Sequence, residues 1–262
     1  DNNMNKAVIL IGVGEIGGVF AKGILKIGYP VYPVTRGDDL KGAARAVPDP
    51  LAVVVAVGEK DIQAVLKTIP QQWQGRLVLV QNELLPRDWT PHNIGNPTVI
   101  SVWFEKKQGQ DAKVIIPSPV FGPLSDFIQA ALQSIQVSCK ILASQDELLF
   151  ELVLKNVYIL TVNIAGLEVG GTVGELWAKH QALAREVADN VMDIQFRLIE
   201  KDLDRQRLID GMVNAFNGDL NHKCMGRSAP ARLARAIALA DQFGLLVKKL
   251  REISKQQEKA KV

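Results

Sequence analysis

The chain has 262 residues, of which 47% are hydrophobic, and a net charge of +3. This length allows a substantial core in one large domain or two smaller ones. The charge is modest and spread along the chain, so we expect no nucleic-acid partner. Cys139 and Cys224 are too few for a disulfide scaffold and lack metal-ligand spacing, so we expect no metal site.

Targeting signals are not evident in the sequence. No apolar run approaches the roughly 18–20 residues of a transmembrane helix. The first six residues lack the apolar core of a signal peptide, and Met4 is interpreted as the biological start. We therefore expect a protein of the reducing cytoplasm with no membrane partner.

The chain opens with a glycine-rich turn between a strand and a helix. The apolar run Val8–Ile11 predicts a buried strand, and a helical pattern reaches about Ile27. Between them, Gly12, Gly14 and Gly17 have the spacing of the dinucleotide-binding fingerprint, which allows a tight turn, close approach of a pyrophosphate and close packing of the helix. The spacing predicts a nucleotide site, with a structural turn as the alternative. The loop residues assigned to the cofactor are Gly12, Val13, Gly14, Glu15, Ile16 and Gly17.

The end of the predicted second strand, residues 30–35, indicates which nucleotide binds. In such folds an acidic residue about 20 positions after the glycines bonds the ribose 2′-hydroxyl of NAD, whereas an arginine accommodates the 2′-phosphate of NADP. Arg36 occupies this position and favours NADP. A solvated loop arginine is the alternative, and the nearby Asp38 and Asp39 keep NAD open.

Strands continue to alternate with helices up to residue 143. The nearly all-apolar run 51–57 is typical of a parallel strand buried on both faces. The alternation indicates an α/β fold with a Rossmann-type, doubly wound parallel sheet. The other predicted strands are 76–81, 98–104, 112–116 and 137–142, and the predicted helices are 61–69 and 124–135.

Two residues mark the edge of the sheet where ligands gather in open α/β folds. Val57 ends the third strand, and Asn82 directly follows the fourth. We assign both to the cofactor site, with Asn82 as a contact of the nicotinamide or the substrate. An ordinary turn asparagine is the alternative.

From Ser144 onward the pattern is almost wholly helical. Ser144 and Thr172 each precede a glutamate by three residues, forming capping boxes that predict helix starts. The sequence therefore predicts a nucleotide domain at residues 1–143 and a helical domain for substrate binding and dimerisation at residues 144–262. The predicted helical stretches are 148–167, 172–216 and 230–253.

This layout resembles the ketopantoate reductase family, whose members reduce 2-dehydropantoate to pantoate with NADPH. The three loop glycines match the family's phosphate loop, and Arg36 matches its 2′-phosphate arginine. Asn82 matches the asparagine after the fourth strand, although Glu83 replaces the glycine that follows it in the family. The resemblance implies NADP as the cofactor and a small 2-keto acid as the substrate.

Lys155 and Asn163 match the lysine and the second asparagine of the motif that opens the family's helical domain. Ketone reduction needs an acid that protonates the oxygen. A lysine does this where a desolvated cleft lowers its pKa from about 10.4. The resemblance assigns Lys155 as this general acid and Asn163 to orienting it or binding a carboxylate. A lysine that extends to solvent and a helix-packing amide are the alternatives.

The chain departs from the family at three positions. Ile159 and Val173 stand where the family has asparagines, and Pro230 stands where it has the glutamate that holds the substrate's hydroxyl. Asn156 is a candidate replacement for the first asparagine, because it lies close to two helical turns before Asn163. The resemblance is therefore stronger for the fold than for the substrate.

Basic residues near the end of the chain are candidates for binding a substrate carboxylate. Segment 221–227 is interpreted as a loop that closes the cleft, with Lys223 or Arg227 contacting the substrate. Acid–base or thiol chemistry at the histidine and cysteine of this loop is the other interpretation. Arg232 and Arg235 lie three residues apart on a predicted helix, with surface solvation as the alternative.

Three hypotheses follow. The first is an NADP-dependent oxidoreductase of ketopantoate reductase type, acting on a 2-keto acid. The second is a catalytically silent nucleotide-binding protein that works as a sensor or scaffold. The third is a dehydrogenase like the β-hydroxyacid or pyrroline-5-carboxylate reductases. Helical domains of this kind often pair across a two-fold axis, so a homodimer is expected by analogy.

Overall fold

A computed structural model describes residues 6–262, so Met4 lies outside the described residues. The chain divides into two compact units, one ending at Leu152 and the other spanning Val153–Val262. This division falls within a long helix that begins at Gln145. The sequence-predicted boundary at 143/144 lies just before that helix.

The first unit is built around a mainly parallel sheet. Its strands are β1 (Val8–Ile11), β2 (Val31–Val34), β3 (Ala52–Val55), β4 (Leu77–Leu79), β5 (Thr98–Ile100), β6 (Phe104–Glu105), β7 (Lys113–Val114), β8 (Ser118–Phe121) and β9 (Cys139–Ile141). The main sheet has the order β2-β1-β3-β4-β5-β8-β9, and β6 pairs with β7 as a separate hairpin. Within the main sheet, β8 runs antiparallel to β5. Every residue of β1 and β3 is buried, as expected for parallel strands covered on both faces.

Helices cover this sheet. They are α1 (Glu15–Lys26), α2 (Leu40–Ala46), α3 (Ile62–Thr68), α4 (Ser125–Gln133) and the start of α5 (Gln145–Val169). Helix α1 approaches α4 closely where Gly23 contacts the backbone of Ala131. A side chain at Gly23 would separate the two helices, so glycine is required there.

The second unit is helical from the remainder of α5 onward. Its further helices are α6 (Val173–Lys179), α7 (Gln181–Ile199), α8 (Arg205–Gly218), α9 (Ala229–Phe243) and α10 (Lys248–Ala260). The predicted fold class, a Rossmann-type sheet followed by helices, is therefore confirmed.

Strand β8 was not predicted, because the predicted strand 112–116 ends just before Pro117 and a second proline, Pro119, lies within β8. Pro119 is tolerated at this place, since its carbonyl accepts a hydrogen bond of 2.9 Å from Ser101, one residue beyond the end of β5. The proline therefore removes a donor only where the ladder ends. The predicted strand 98–104 is likewise interrupted, and its last part forms the β6–β7 hairpin.

Two of the predicted helical stretches are divided in the structure. Stretch 172–216 comprises α6, α7 and α8, and stretch 230–253 comprises α9 and α10. Gly244 ends α9 with φ of +66°, the left-handed conformation that favours glycine at a helix end. Arg251 then donates hydrogen bonds to the carbonyl oxygens of Leu245 and Leu246, which fixes the turn.

Side-chain caps define several helix starts. At the predicted Thr172 box, the hydroxyl accepts a hydrogen bond from the Glu175 amide at 3.2 Å, and the glutamate caps Thr172 in return. At the Ser144 box, the carboxylate of Glu147 bonds the amide of Ala143 instead of that of Ser144. The sequence therefore located both helix starts.

Helix α5 corrects one expectation from the sequence. Among the described residues, it is long and apolar enough to cross a membrane by length and composition. In the structure, however, 78% of its most apolar window is buried. A core helix of a soluble protein has the same character.

Candidate functional site

The three fingerprint glycines differ in what surrounds them. Gly12 has φ of +92°, and a Cβ there would lie 2.6 Å from the carbonyl oxygen of Ala56. A Cβ at Gly17 would lie 2.5 Å from the carbonyl oxygen of Gly12, whereas a Cβ at Gly14 would meet nothing within 4 Å. Two of the glycines thus allow the strand, turn and helix to pack closely, and the third leaves the backbone open to a ligand.

A cleft of about 650 Å³ opens beside this loop. It is lined by Gly12, Val13 and Gly14 on one side and by Val57 and Gly58 on another, where β3 ends. Glu15, Ile16 and Gly17 form the first turn of α1. The free N–H groups of such a turn bind anions, so the loop provides a place for phosphates at the border of the cleft.

Arg36 lines the same cleft, two residues beyond the end of β2. Its guanidinium lies 3.3 Å from the carboxylate of Asp61, beside the start of α3. The Arg36 side chain is 84% exposed, so this ion pair is weak and open to exchange. The arrangement presents an exposed cation at the border of the cleft.

The two aspartates that would be compatible with NAD as the cofactor, Asp38 and Asp39, have different surroundings. Asp39 caps α2 by accepting hydrogen bonds from Lys41 and Gly42, which commits it to the helix. Asp38 lines the cleft and accepts hydrogen bonds from the amide and hydroxyl of Thr35 at 2.7 and 2.8 Å. These bonds hold the pKa of Asp38 below its ordinary value. Helix α2 itself was not predicted, although Asp39 is a typical N-cap residue.

Gln81 positions the end of β3 beside the cleft, a role that the sequence did not predict. It is 8% exposed, and its amide nitrogen donates to the carbonyl oxygens of Val55 at 2.6 Å and Val57 at 3.3 Å. Gln81 thereby fixes the end of β3 at the cleft. Its polar side chain after an apolar strand was the available signal. Asn82 follows it, half-buried, and is not among the described residues that line the cleft.

Lys155 lies in α5, within the second unit, and is half-buried. One turn further along the helix, Tyr158 is 3% exposed, and its ring centroid lies 5.7 Å from that of Phe216. Residues three apart on a helix share a face. The lysine therefore shares a helix face with a residue of a buried aromatic cluster.

Asn163 is also buried, at 8% exposure, and its amide is bonded at both ends. The nitrogen donates to the carbonyl oxygen of Cys224 at 2.9 Å, and the oxygen accepts from the guanidinium of Arg232 at 2.9 Å. Asn163 thus links α5 to the loop before α9 and to α9 itself. Of the predicted carboxylate-binding candidates, Arg232 is the one that the structure brings to Asn163.

The proposed replacement Asn156 has a different environment from the one expected. It is 2% exposed, and its amide nitrogen donates to the side-chain oxygen of Gln195 in α7 at 2.9 Å. Gln195 is itself 3% exposed. This pair is a buried helix–helix contact, so Asn156 does not replace the missing family asparagine. The spacing along α5 was sound, but it could not reveal which helix covers that position.

The other departures from the family have structural explanations. Pro230 is in the first turn of α9, where its missing N–H costs nothing. Val173 begins α6, fully buried, and its amide donates to the carbonyl oxygen of His222 at 2.8 Å. The amide of Cys224 donates to Gly171 at 3.0 Å. The loop of residues 219–224 is therefore fixed to the start of α6.

The thiol of that loop is not activated. Cys224 is fully buried, and burial, with a smaller contribution from Glu175, raises its pKa to about 11. A thiol with so high a pKa is largely protonated at neutral pH. Burial and the raised pKa therefore favour a packed, protonated thiol at Cys224 over a reactive one.

Comparison with known proteins identifies the fold. No protein-family profile matches the chain, and no curated protein sequence matches it. The structure of 2-dehydropantoate 2-reductase from Methylococcus capsulatus is similar, with a TM-score of 0.69 at 10% identity over 97% of this chain and 96% of that chain. The dimeric ketopantoate reductase from Staphylococcus aureus gives 0.62 at 15% identity over 95% and 96%. D-mandelate dehydrogenase in complex with NADH gives 0.65 at 10% identity over 97% and 99%.

The chain has the fold of ketopantoate reductases. The resemblance seen in the sequence is thus confirmed at the level of the fold, over nearly the whole chain. These neighbours are oxidoreductases, and one was solved with NADH. Because one fold hosts many functions, the substrate and the cofactor depend on the residues of the site and not on the fold.

Proposed function

We propose that the protein is an NADP-dependent reductase of ketopantoate reductase type, acting on a small 2-keto acid. The observation that carries the proposal is the glycine loop. Two of its glycines admit no side chain, and the third leaves an open approach beside the cleft. An ordinary structural turn does not need all three features together. The loop therefore fits a dinucleotide, with the pyrophosphate at the start of α1.

The preference for NADP rests on Arg36. Its guanidinium lines the cleft and exchanges one exposed carboxylate, that of Asp61, for the 2′-phosphate. Asp38 is the residue that would instead favour NAD, because its carboxylate also lines the cleft. The remaining contacts in this proposal come from the loop residues and from Val57, which lines the cleft. Asn82 lies outside the cleft lining and stays a sequence-based assignment to the nicotinamide or the substrate.

The nicotinamide, when bound, supplies the hydride. Lys155 donates the proton to the carbonyl oxygen of the substrate as negative charge develops there. Arg232 binds the substrate carboxylate, since a guanidinium matches a carboxylate in geometry and charge. Asn163 orients Arg232 through its 2.9 Å hydrogen bond, in place of orienting Lys155 directly.

A second candidate function is a catalytically silent nucleotide-binding protein. It is favoured by the burial of Asn156 against Gln195 and by Pro230, which leaves segment 220–240 without a carboxylate. In this alternative the first unit still binds the dinucleotide. Turnover, and not cofactor binding, therefore separates the two functions.

The test is a titration of the purified protein with NADPH and NADH, followed by nicotinamide fluorescence, with ketopantoate added at the end. Tight NADPH binding followed by its oxidation supports the reductase, whereas tight binding without oxidation of a panel of 2-keto acids supports the silent protein. Failure to bind either dinucleotide contradicts both functions.

Arg36→Ala tests the cofactor preference. We expect NADPH affinity to fall about 10- to 100-fold, as for a lost charge-assisted contact, while NADH affinity stays unchanged. Arg45→Ala is the matched control, because Arg45 is also exposed and paired with an aspartate. Equal losses for both dinucleotides would contradict the role of Arg36.

The proposal also includes a cytoplasmic location and a homodimer. The dimer follows by analogy with the dimeric enzyme from Staphylococcus aureus. Sedimentation equilibrium of the purified protein tests it, and a concentration-independent monomer would contradict it.

A further inference from the structure

The phosphate loop carries a carboxylate that conflicts with anion binding. Glu15 is the first residue of α1 and lies next to the open Gly14. A carboxylate here favours the helix on its own, because it complements the N-terminal dipole. It also repels a phosphate that approaches the same N–H groups. A dinucleotide site at this loop therefore needs a positive charge nearby.

Lys106 supplies such a charge. Its ammonium lies 3.3 Å from the carboxylate of Glu15 and donates a 2.8 Å hydrogen bond to the carbonyl oxygen of Lys107. The two partners are 91 positions apart in the sequence, so only the fold brings them together. The side chain of Lys106 is 23% exposed and that of Glu15 is 46% exposed.

The position of Lys106 is fixed by the hairpin of β6 and β7, in whose connecting loop it lies. Lys106 directly follows β6, which pairs with β7. Phe104 of β6 is 5% exposed, and its ring centroid lies 6.1 Å from that of Phe20 in α1. The hairpin is thus packed on the helix whose first turn carries Glu15, and the ammonium is held at that end of the helix.

We propose that Lys106 is a ligand of the dinucleotide pyrophosphate, and that Glu15 holds it in place until the nucleotide binds. The inference rests on the proposed dinucleotide site. On binding, the ammonium exchanges the carboxylate for a phosphate oxygen, so one charge-assisted contact replaces another. The exchange is accessible because the ion pair is only partly buried, with side chains 23% and 46% exposed, so that solvent weakens it. Lys106 thereby adds a side-chain contact to a pyrophosphate site that otherwise consists of backbone N–H groups.

The experiment separates direct contact from simple neutralisation of Glu15. Four variants are titrated by calorimetry with ADP, which carries the adenosine and the diphosphate of the cofactor, and with adenosine 2′-monophosphate, which lacks the diphosphate. They are Lys106→Met, Glu15→Gln, the double variant and Lys107→Met. The last is the matched control, because Lys107 is the adjacent, exposed lysine and contacts Lys106 only through its carbonyl. Thermal melting verifies that each variant is folded.

We expect Lys106→Met to weaken ADP binding about tenfold, in line with one lost charge-assisted contact, and Lys107→Met to change it less than about twofold. Glu15→Gln tightens ADP binding, since it removes the competing carboxylate. Lys106→Met weakens ADP binding in the Glu15→Gln background as well. Binding of adenosine 2′-monophosphate stays unchanged throughout.

Two outcomes overturn the inference while leaving the proposed function intact. One is equal ADP affinity in Lys106→Met and Lys107→Met. The other is an effect of Lys106→Met that disappears in the Glu15→Gln background, since the lysine would then only neutralise the glutamate. If the unmodified protein binds neither ADP nor NADPH, the proposed function fails, and the inference fails with it.

Discussion

The two units of this protein hold their candidate residues by different physical means. In the first unit, the candidate site is the backbone of the glycine loop, since Gly12 and Gly17 admit no Cβ and Gly14 stays open. In the second unit, the candidates are polar side chains on one helix, and their hydrogen bonds reach other helices. Asn156 bonds Gln195, and Asn163 bonds Arg232.

This difference determines what a sequence reveals. A backbone site depends on glycine spacing, which is visible directly and tolerates little variation. A side-chain site depends on which element covers each helix position, and the sequence does not contain that information locally. In the proposed function, the first unit therefore keeps the glycine spacing of a dinucleotide loop, while in the second unit Asn156 serves helix packing.

Gly17→Ala is expected to have the largest effect on the glycine loop of the first unit. The added Cβ would lie 2.5 Å from the carbonyl oxygen of Gly12, so α1 must move away from the loop. We expect loss of measurable NADPH binding and a fall in the free energy of unfolding of about 1–3 kcal/mol. Fluorescence titration and urea unfolding measure the two effects.

Gly18→Ala is the matched control for that variant. Gly18 is the next residue of the same helix, and a Cβ there meets nothing within 4 Å. Alanine should raise the free energy of unfolding by about 0.5–1 kcal/mol through helix propensity, with NADPH binding intact. If both variants bind NADPH normally, the loop is a structural turn.

The same contrast explains how much of the fold was predictable. The strands of the first unit were found because buried parallel strands are continuous apolar runs, as in β1 and β3. Strand β8 was missed because Pro119 is tolerated only through its place opposite the end of β5. The break at Gly244 was missed because the apolar pattern continues across it. Gln81 and Lys106 were missed because their partners lie far away in the sequence.

Lys155→Ala sharpens the comparison by separating the functions of the two units. We expect kcat for 2-keto acid reduction to fall about 10²- to 10⁴-fold, as for loss of a general acid, with the dissociation constant of NADPH unchanged. Lys179→Ala, at an exposed lysine of α6, is the control. Unchanged kcat in Lys155→Ala would refute the assignment of Lys155 as the acid.

Asn156→Ala tests whether that asparagine belongs to packing or to the substrate. The variant leaves the buried amide of Gln195 without its partner, so we expect a loss of about 1–3 kcal/mol in the free energy of unfolding. Replacing both residues by leucine should recover much of that loss, while KM for the keto acid changes little in either variant. A large increase in KM with unchanged stability would place Asn156 in the substrate site.

Cys224→Ala is expected to have the smallest effect on kcat. It lies in the loop of residues 219–224, for which thiol chemistry was one interpretation of the sequence. Burial raises the pKa of this thiol to about 11 and that of Cys139 to about 12. Both thiols are therefore protonated at pH 7–8, and neither should be alkylated by iodoacetamide until urea unfolds the chain. Mass spectrometry of the labelled peptides measures this.

The loop itself is held by its backbone, through the bonds from Val173 to His222 and from Cys224 to Gly171. Those bonds survive in Cys224→Ala, so kcat should change less than about twofold even though the loop carries Asn163's partner carbonyl. Rapid labelling of Cys224 in the folded protein, or a large fall in kcat in this variant, would show that the thiol is accessible or takes part in the reaction. The side chains of this loop would then serve function as well as packing.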